Sequence, residues 1–234
     1  EGARLLVTPE MALCGYPPED LLLRPAFLRA CEAALSQLAA DLADLSGLTL
    51  IIGHPQRQRD EGVRSRSHAV PRLLNAASAI QGGQVVGTYA KRELPNYQVF
   101  DERRYFVSGR EAGLQPLVVD ADGWKVGVLI CEDAWFDEPA QAAAAAGAQA
   151  LVVLNASPFH AGKLAEREQR MGERARQVRL PLLYASSATD LLWAAMPALS
   201  WDSSSAGSRS TPRTAMSPTE GSKPVASNLS RPTR

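Results

Sequence analysis

Three residues of unlike chemistry each follow a run of strand-forming sequence. In "VGVLICEDAW", residues 126–135, Val126, Val128 and Ile130 alternate with Gly127 and Leu129. That is the pattern of a buried strand, and it runs straight into Cys131. Glu10 follows "RLLVT", residues 4–8, and Lys91 follows "VVGTYA". A thiol, a carboxylate and an ammonium at three strand exits can meet at one sheet edge, where α/β folds commonly bind ligands. The thiolate is a nucleophile, the carboxylate can take the thiol proton and return it to a leaving amine, and the ammonium can stabilise an oxyanion. Glu132 and Asp133 stand as first-turn acids of a helix, and a helix start beside an ammonium predicts a lowered thiol pKa. Each residue also has an inert reading: the thiol as core, Glu10 as a turn residue, and Lys91 beside Arg92 and Glu93 as a solvated face.

The elements that must position these groups alternate. "GYPPED" reads as a turn. Pro25 opens a helix whose apolar stripe is Leu28, Cys31, Leu35, Leu38, Leu42 and Leu45, with Gly47 as its stop. Asp41 and Asp44 fall on its solvated face. "LTLIIG" is a buried strand, and residues 54–72, rich in arginine and turn formers, read as an exposed loop. Gly82-Gly83 between "NAASAI" and "VVGTYA" signals a hairpin. Residues 117–130 supply two strands, "EPAQAAAAAGA" a helix and "ALVVLNAS" a strand. A helix from Leu164 carries Met171, Ala175 and Val178 on one face, and "LPLLYAS" is a further strand. The pattern predicts a layered α/β domain over residues 1–200. Residues 201–234, mostly Ser, Thr, Pro, Gly and Arg, predict a disordered low-complexity tail.

Composition narrows the classes. The 234 residues carry 25 basic and 25 acidic side chains, so net charge draws the chain neither to nucleic acid nor to an anionic membrane. No apolar run has the length of a membrane span, and the opening "EGARLLV" is not a signal peptide. Three irregularly spaced cysteines argue against a disulfide framework and fit a reducing, cytoplasmic setting. His54, His68 and His160 are scattered, and no zinc spacing occurs, so no metal is expected.

"PEMALCGYPPEDLLLRP", "KRELPNYQVFDERRYF", "GVLICEDAW" and "NASPFHAGK" occur in that order. Together they resemble the glutaminase domain of the glutamine-dependent NAD+ synthetases, a branch of the carbon–nitrogen hydrolase (nitrilase) superfamily. The resemblance covers about residues 1–185. It implies a four-layer αββα sandwich of the nitrilase type, often paired through helices into homo-oligomers. It implies that Glu10 is the general base, Lys91 the catalytic lysine and Cys131 the nucleophile. Glu102 matches a second, supporting glutamate. Tyr97 in "LPNY", with Ser157 and Lys163 in "SPFHAGK", match glutamine-binding positions. The implied reaction is thiol attack on the side-chain amide of glutamine, then release of ammonia and glutamate. In the family a second domain uses ATP and Mg2+ to amidate nicotinic acid adenine dinucleotide with that ammonia.

The sequence departs from the family at both ends. The family has a strand and helix before "EGARLLVTPE", and after "LPLLY" it continues differently from "ASSATDLLWAAMPALSWDSSSAG". These departures lead us to expect a truncated, incomplete sandwich with the synthetase domain missing. No SGGxDS-like loop, GxGxxG or GxxxxGK[ST] occurs, so no cofactor is expected in this chain. Two other readings stand beside the glutaminase: a stand-alone amidase of the same superfamily, and a non-catalytic fragment.

Overall fold

A computed structural model of the chain describes residues 2–58, 72–97, 100–156, 163–186 and 192–194. Ser157, most of the expected loop at 54–72 and the expected tail at 201–234 lie outside the described residues. All described residues belong to one compact unit, Glu1–Ala198.

Two mixed sheets lie face to face. In the first, strands β1 (Leu5–Val7), β2 (Thr49–Arg57), β3 (Leu73–Gln81) and β4 (Gln84–Ala90) pair in chain order, β1 parallel to β2 and the rest antiparallel. In the second, β5 (Val118–Ala121), β6 (Trp124–Ile130), β7 (Ala150–Asn155), β8 (Leu182–Ser186) and β9 (Leu192–Ala194) also pair in order. Here β6, β7 and β8 are parallel, with an antiparallel strand at each edge. Helix α1 (Pro25–Asp41) covers the first sheet, packing Leu35, Leu38 and Ala39 on Leu50, Ile52 and Ile80. Helices α2 (Asp137–Ala145) and α3 (Lys163–Val178) cover the second through Ala140, Ala143, Met171 and Ala175. The layers are α/β/β/α, as expected. The apolar faces of both sheets and of these helices share one buried core, in which Ile51, Ala77, Ala79 and Tyr89 meet Val126, Val128 and Ile130.

Local sequence explains most elements. Gly82 and Gly83 both have positive φ, 52° and 83°, which a two-residue hairpin of the primed type requires. Pro25 sits at the first turn of α1, where its missing N–H costs nothing.

Four expectations need correction. Helix α1 ends at Asp41, not at Gly47: Leu42, Ala43, Leu45 and Leu48 donate three residues back, so the chain tightens into successive turns. Leu45 is therefore exposed rather than on the stripe, and Asp44 lies past the helix. Strand β2 continues through His54 to Arg57, because β3 pairs with it along its whole length and Arg57 ion-pairs with Glu32 of α1. Beyond "LPLLYAS", the short strand β9 adds to β8.

Candidate active site

Strands β1, β2 and β4 run in one direction, so the exits of β1 and β4 lie on one edge of the first sheet, beside the start of the antiparallel β3. Lys91 leaves β4 there, Asn75 enters on β3, and Glu10 lies in the turn after β1. Two glycines permit this crowding. A Cβ on Gly53 of β2 would stand 2.6 Å from Met11 N and 2.8 Å from Pro9 O, so only glycine lets the Glu10 turn lie against the strand. A Cβ on Gly109 would stand 2.4 Å from Ala90 O, and Gly109 N–H donates to Lys91 O at 2.8 Å.

The side chains converge. Lys91 Nζ is fully buried and donates to Glu10 Oε1 at 2.9 Å and to Glu102 Oε1 at 2.7 Å. Asn75 Nδ2 donates to Glu10 Oε1 at 2.8 Å and Glu102 Oε2 at 3.3 Å, and Tyr16 OH reaches Glu102 Oε1 at 3.3 Å. Glu10 Oε2 is buried with no hydrogen-bond partner among the described residues. Burial alone would discharge Lys91, but Glu10 and Glu102 outweigh it and hold the ammonium charged. Burial pushes the Glu102 carboxyl up, Lys91 pulls it back and Glu10 adds to the rise, leaving it at about 7.

Cys131 leaves β6 in the second sheet and begins a 3-10 turn, Cys131–Trp135. Its φ is +47°, a left-handed conformation rare outside glycine and held only where the surroundings over-determine it. The thiol is buried, and the charges of Glu10, Lys91 and Glu102 all bear on it. Burial and then Glu10 push its pKa well above the ordinary thiol value, with Lys91 opposing. The expectation of a lowered thiol pKa is overturned. Cys131 begins no α-helix, only a five-residue turn, and desolvation beside carboxylates outweighs the ammonium.

The other sequence-derived positions divide. Tyr97 is half exposed, and its hydroxyl donates at 2.8 Å to Glu132 in the turn that Cys131 opens. Lys163 is the first residue of α3. Asn75, Tyr16 and Gly53 were not singled out from sequence. Asp133 lies at the start of the 3-10 turn, as read from sequence, but it does more there than the reading gave it: it is fully buried and accepts from Tyr89 OH and the N–H groups of Ile130, Arg92 and Glu93.

A cavity of about 290 Å³ opens beside Glu102, lined also by Tyr16, Pro18, Asp20, Arg104 and Tyr105. A larger one of about 810 Å³ lies between α1 and the outer face of the first sheet, and none of Glu10, Lys91, Glu102 and Cys131 lines it. Among the described residues no cluster of His, Cys, Asp and Glu could hold a metal ion, and no helix is long and apolar enough to cross a membrane.

The chain is similar in sequence and fold to known proteins. A family model described as "Carbon-nitrogen hydrolase" matches residues 1–190. Glutamine-dependent NAD(+) synthetases are similar in sequence. That of Xanthomonas campestris pv. campestris (strain 8004) is 44% identical over 182 residues, 78% of this chain and 30% of the relative. That of Aquifex aeolicus (strain VF5) is 39% identical over 176 residues, 75% of this chain and 28% of the relative. The chain thus spans about a third or less of these relatives' length. Among solved structures, the glutamine-dependent NAD+ synthetase from Acinetobacter baumannii, in complex with adenosine diphosphate, superposes with a TM-score of 0.66 at 35% identity, covering 79% of this chain and 32% of that one. An amidase variant from Nesterenkonia sp. AN1, carrying the product of Michael addition of acrylamide at its active-site cysteine, superposes at 0.60 and 26% identity, covering 79% of this chain and 65% of that one.

Proposed function

This chain belongs to the carbon–nitrogen hydrolase family, and from that premise we propose that it hydrolyses the side-chain amide of glutamine, as the glutaminase part of an NAD+ synthetase. The observation that carries the reading is the split role of the Glu10 carboxylate. Oε1 is held by Lys91 and Asn75, while buried Oε2 has no partner among the described residues and lies on a residue whose charge acts on the Cys131 thiol. A buried lone pair left open beside a protonated thiol is a proton acceptor in waiting.

The steps follow from the groups present. Cys131 starts as a thiol, so its proton passes to Glu10 as Sγ attacks the amide carbon. Lys91 has three N–H donors and gives two to carboxylates, which leaves the third for the oxyanion. Glu10 then protonates the departing nitrogen, ammonia leaves, and a glutamyl thioester remains on Cys131. Glu10 next draws a proton from water, which attacks the thioester; the C–S bond breaks, glutamate is freed, and Glu10 returns that proton to Sγ. Glu102 shares Lys91 and keeps its ammonium aligned. We assign glutamine contacts to Tyr97, Ser157 and Lys163, and use of the ammonia to an ATP- and Mg2+-dependent synthetase domain acting on nicotinic acid adenine dinucleotide.

The likeness to the amidase supports a second reading, hydrolysis of small aliphatic amides without a synthetase. The higher identity to the synthetases favours glutamine. Ammonia release from glutamine and from acrylamide, measured side by side on the purified chain, separates the two. Turnover of glutamine alone supports the glutaminase, and turnover of acrylamide alone replaces it with the amidase.

A further inference from the structure

We propose that Asp133 is a positioning residue, which sets the Cys131 thiol against Glu10 and Lys91 by tying the exit of β6 to the exit of β4. The inference deepens the glutaminase reading and rests on it for its link to turnover.

The two adjacent acids of "CED" have opposite fates. Glu132 is partly exposed and holds the Tyr97 hydroxyl. Asp133 is fully buried, and each of its oxygens takes two donors. Oδ1 accepts the N–H groups of Arg92 at 3.0 Å and Glu93 at 2.8 Å, the two residues after Lys91. Oδ2 accepts the N–H of Ile130, the residue before Cys131, at 3.1 Å, and the hydroxyl of Tyr89, two residues before Lys91, at 2.8 Å. One carboxylate therefore grips the chain on both sides of Lys91 and immediately ahead of Cys131. Four donors fill a carboxylate's lone-pair sites.

This grip explains how Cys131 keeps its left-handed backbone. The start of the turn is fixed by the Ile130 N–H on Asp133. Its far end is fixed from α3, where Arg174 donates to Ala134 O and Trp135 O, both at 3.2 Å. With both ends held, the strained φ of Cys131 is over-determined, as such conformations require. Because the grip passes through the chain beside Lys91, one side chain ties the thiol's strand exit to the ammonium's, in addition to the core that the two sheets share. An amide cannot replace it. In Asp133→Asn one oxygen can still hold Arg92 and Glu93, but the NH2 group then faces the Ile130 N–H, donor against donor. That variant leaves the β4 side held and frees the thiol side.

The test uses the full chain with Asp133→Asn and Tyr89→Phe, each measured for glutamine kcat and KM and for melting. With folded Asp133→Asn, kcat should fall at least about 100-fold while KM stays within about threefold, since a displaced nucleophile loses near-attack geometry rather than binding. Tyr89→Phe removes one of the four donors and should lower kcat by about three- to tenfold with KM unchanged. Parent kcat in folded Asp133→Asn would overturn the proposal, because a purely structural role lowers melting and leaves turnover intact. If Asp133→Asn does not fold, parent kcat in Tyr89→Phe overturns it equally. Labelling with acrylamide, mapped by peptide mass, separates this inference from the functional reading. A parent that labels at Cys131 but does not hydrolyse glutamine refutes the reading alone. Labelling of Cys131 should then be at least about tenfold slower in folded Asp133→Asn, or about threefold slower in Tyr89→Phe, and equal labelling refutes the positioning role.

Discussion

The exits of β4 and β6 meet at one site but are built on opposite principles. At the β4 exit, Lys91, Glu10, Glu102 and Asn75 hold one another through charge and hydrogen bonds in a buried cluster. At the β6 exit stands a single thiol, protonated by burial and placed by backbone conformation. Residues of the first region cannot be removed without stranding their partners. The thiol of the second can be removed almost freely, because its surroundings are built around the turn and not around the sulfur.

The largest expected effect separates these regions at once. Lys91→Met leaves two buried carboxylates without their cation and should cost about 3–5 kcal/mol of stability together with all activity. Denaturant melts and glutamine turnover check it, and a variant as stable as the parent would break the contrast. Cys131→Ala should abolish turnover too, yet cost only about 1 kcal/mol, because it deletes one atom from a well-supported turn. A loss as large as that of Lys91→Met would mean that the thiol is itself a structural element.

Gly53→Ala tests how closely the Glu10 turn must approach. Its methyl would press on backbone atoms of Met11 and Pro9, which cannot rotate away, at an expected cost of about 1–3 kcal/mol. Turnover should fall further than stability, because Glu10 moves with the turn.

The smallest effect is on pH dependence. With the folded thiol pKa raised well above 9.0, the stability that protonated Cys131 contributes is fully present below pH 9.0 and lost as pH rises through the folded value. The ultraviolet thiolate absorbance of parent minus Cys131→Ser should therefore still be absent at pH 9.0. A thiolate already formed near neutrality would restore the expectation of a helix-activated cysteine.

Strand runs that end visibly, "LLVTPE", "VVGTYAK" and "GVLIC", made Glu10, Lys91 and Cys131 legible as candidates, while their roles came from the family resemblance and not from spacing. The sequence also showed the Gly82-Gly83 hairpin and the Pro25 helix start, whose rules are local. What it hid depends on distant partners. Asn75 sits among alanines and leucines and reads as core, and only the fold brings it between two glutamates. Glu132 and Asp133 are indistinguishable as neighbouring acids until one is buried against β4. Gly53 reads as a plain strand residue, since the backbone that crowds it lies more than forty positions away. The thiol's raised pKa was missed for the same reason: burial and the long-range carboxylates, not the adjacent turn, decide it.

The central claim is a covalent glutamyl intermediate on Cys131. Chain mixed with glutamine, quenched in acid and digested, is examined by mass spectrometry for a glutamyl group on the peptide containing Cys131. The account predicts that adduct in the parent and its absence, with turnover, in Cys131→Ala. Glutamate released at the parent rate by Cys131→Ala, with no adduct at Cys131 in the parent, would contradict it.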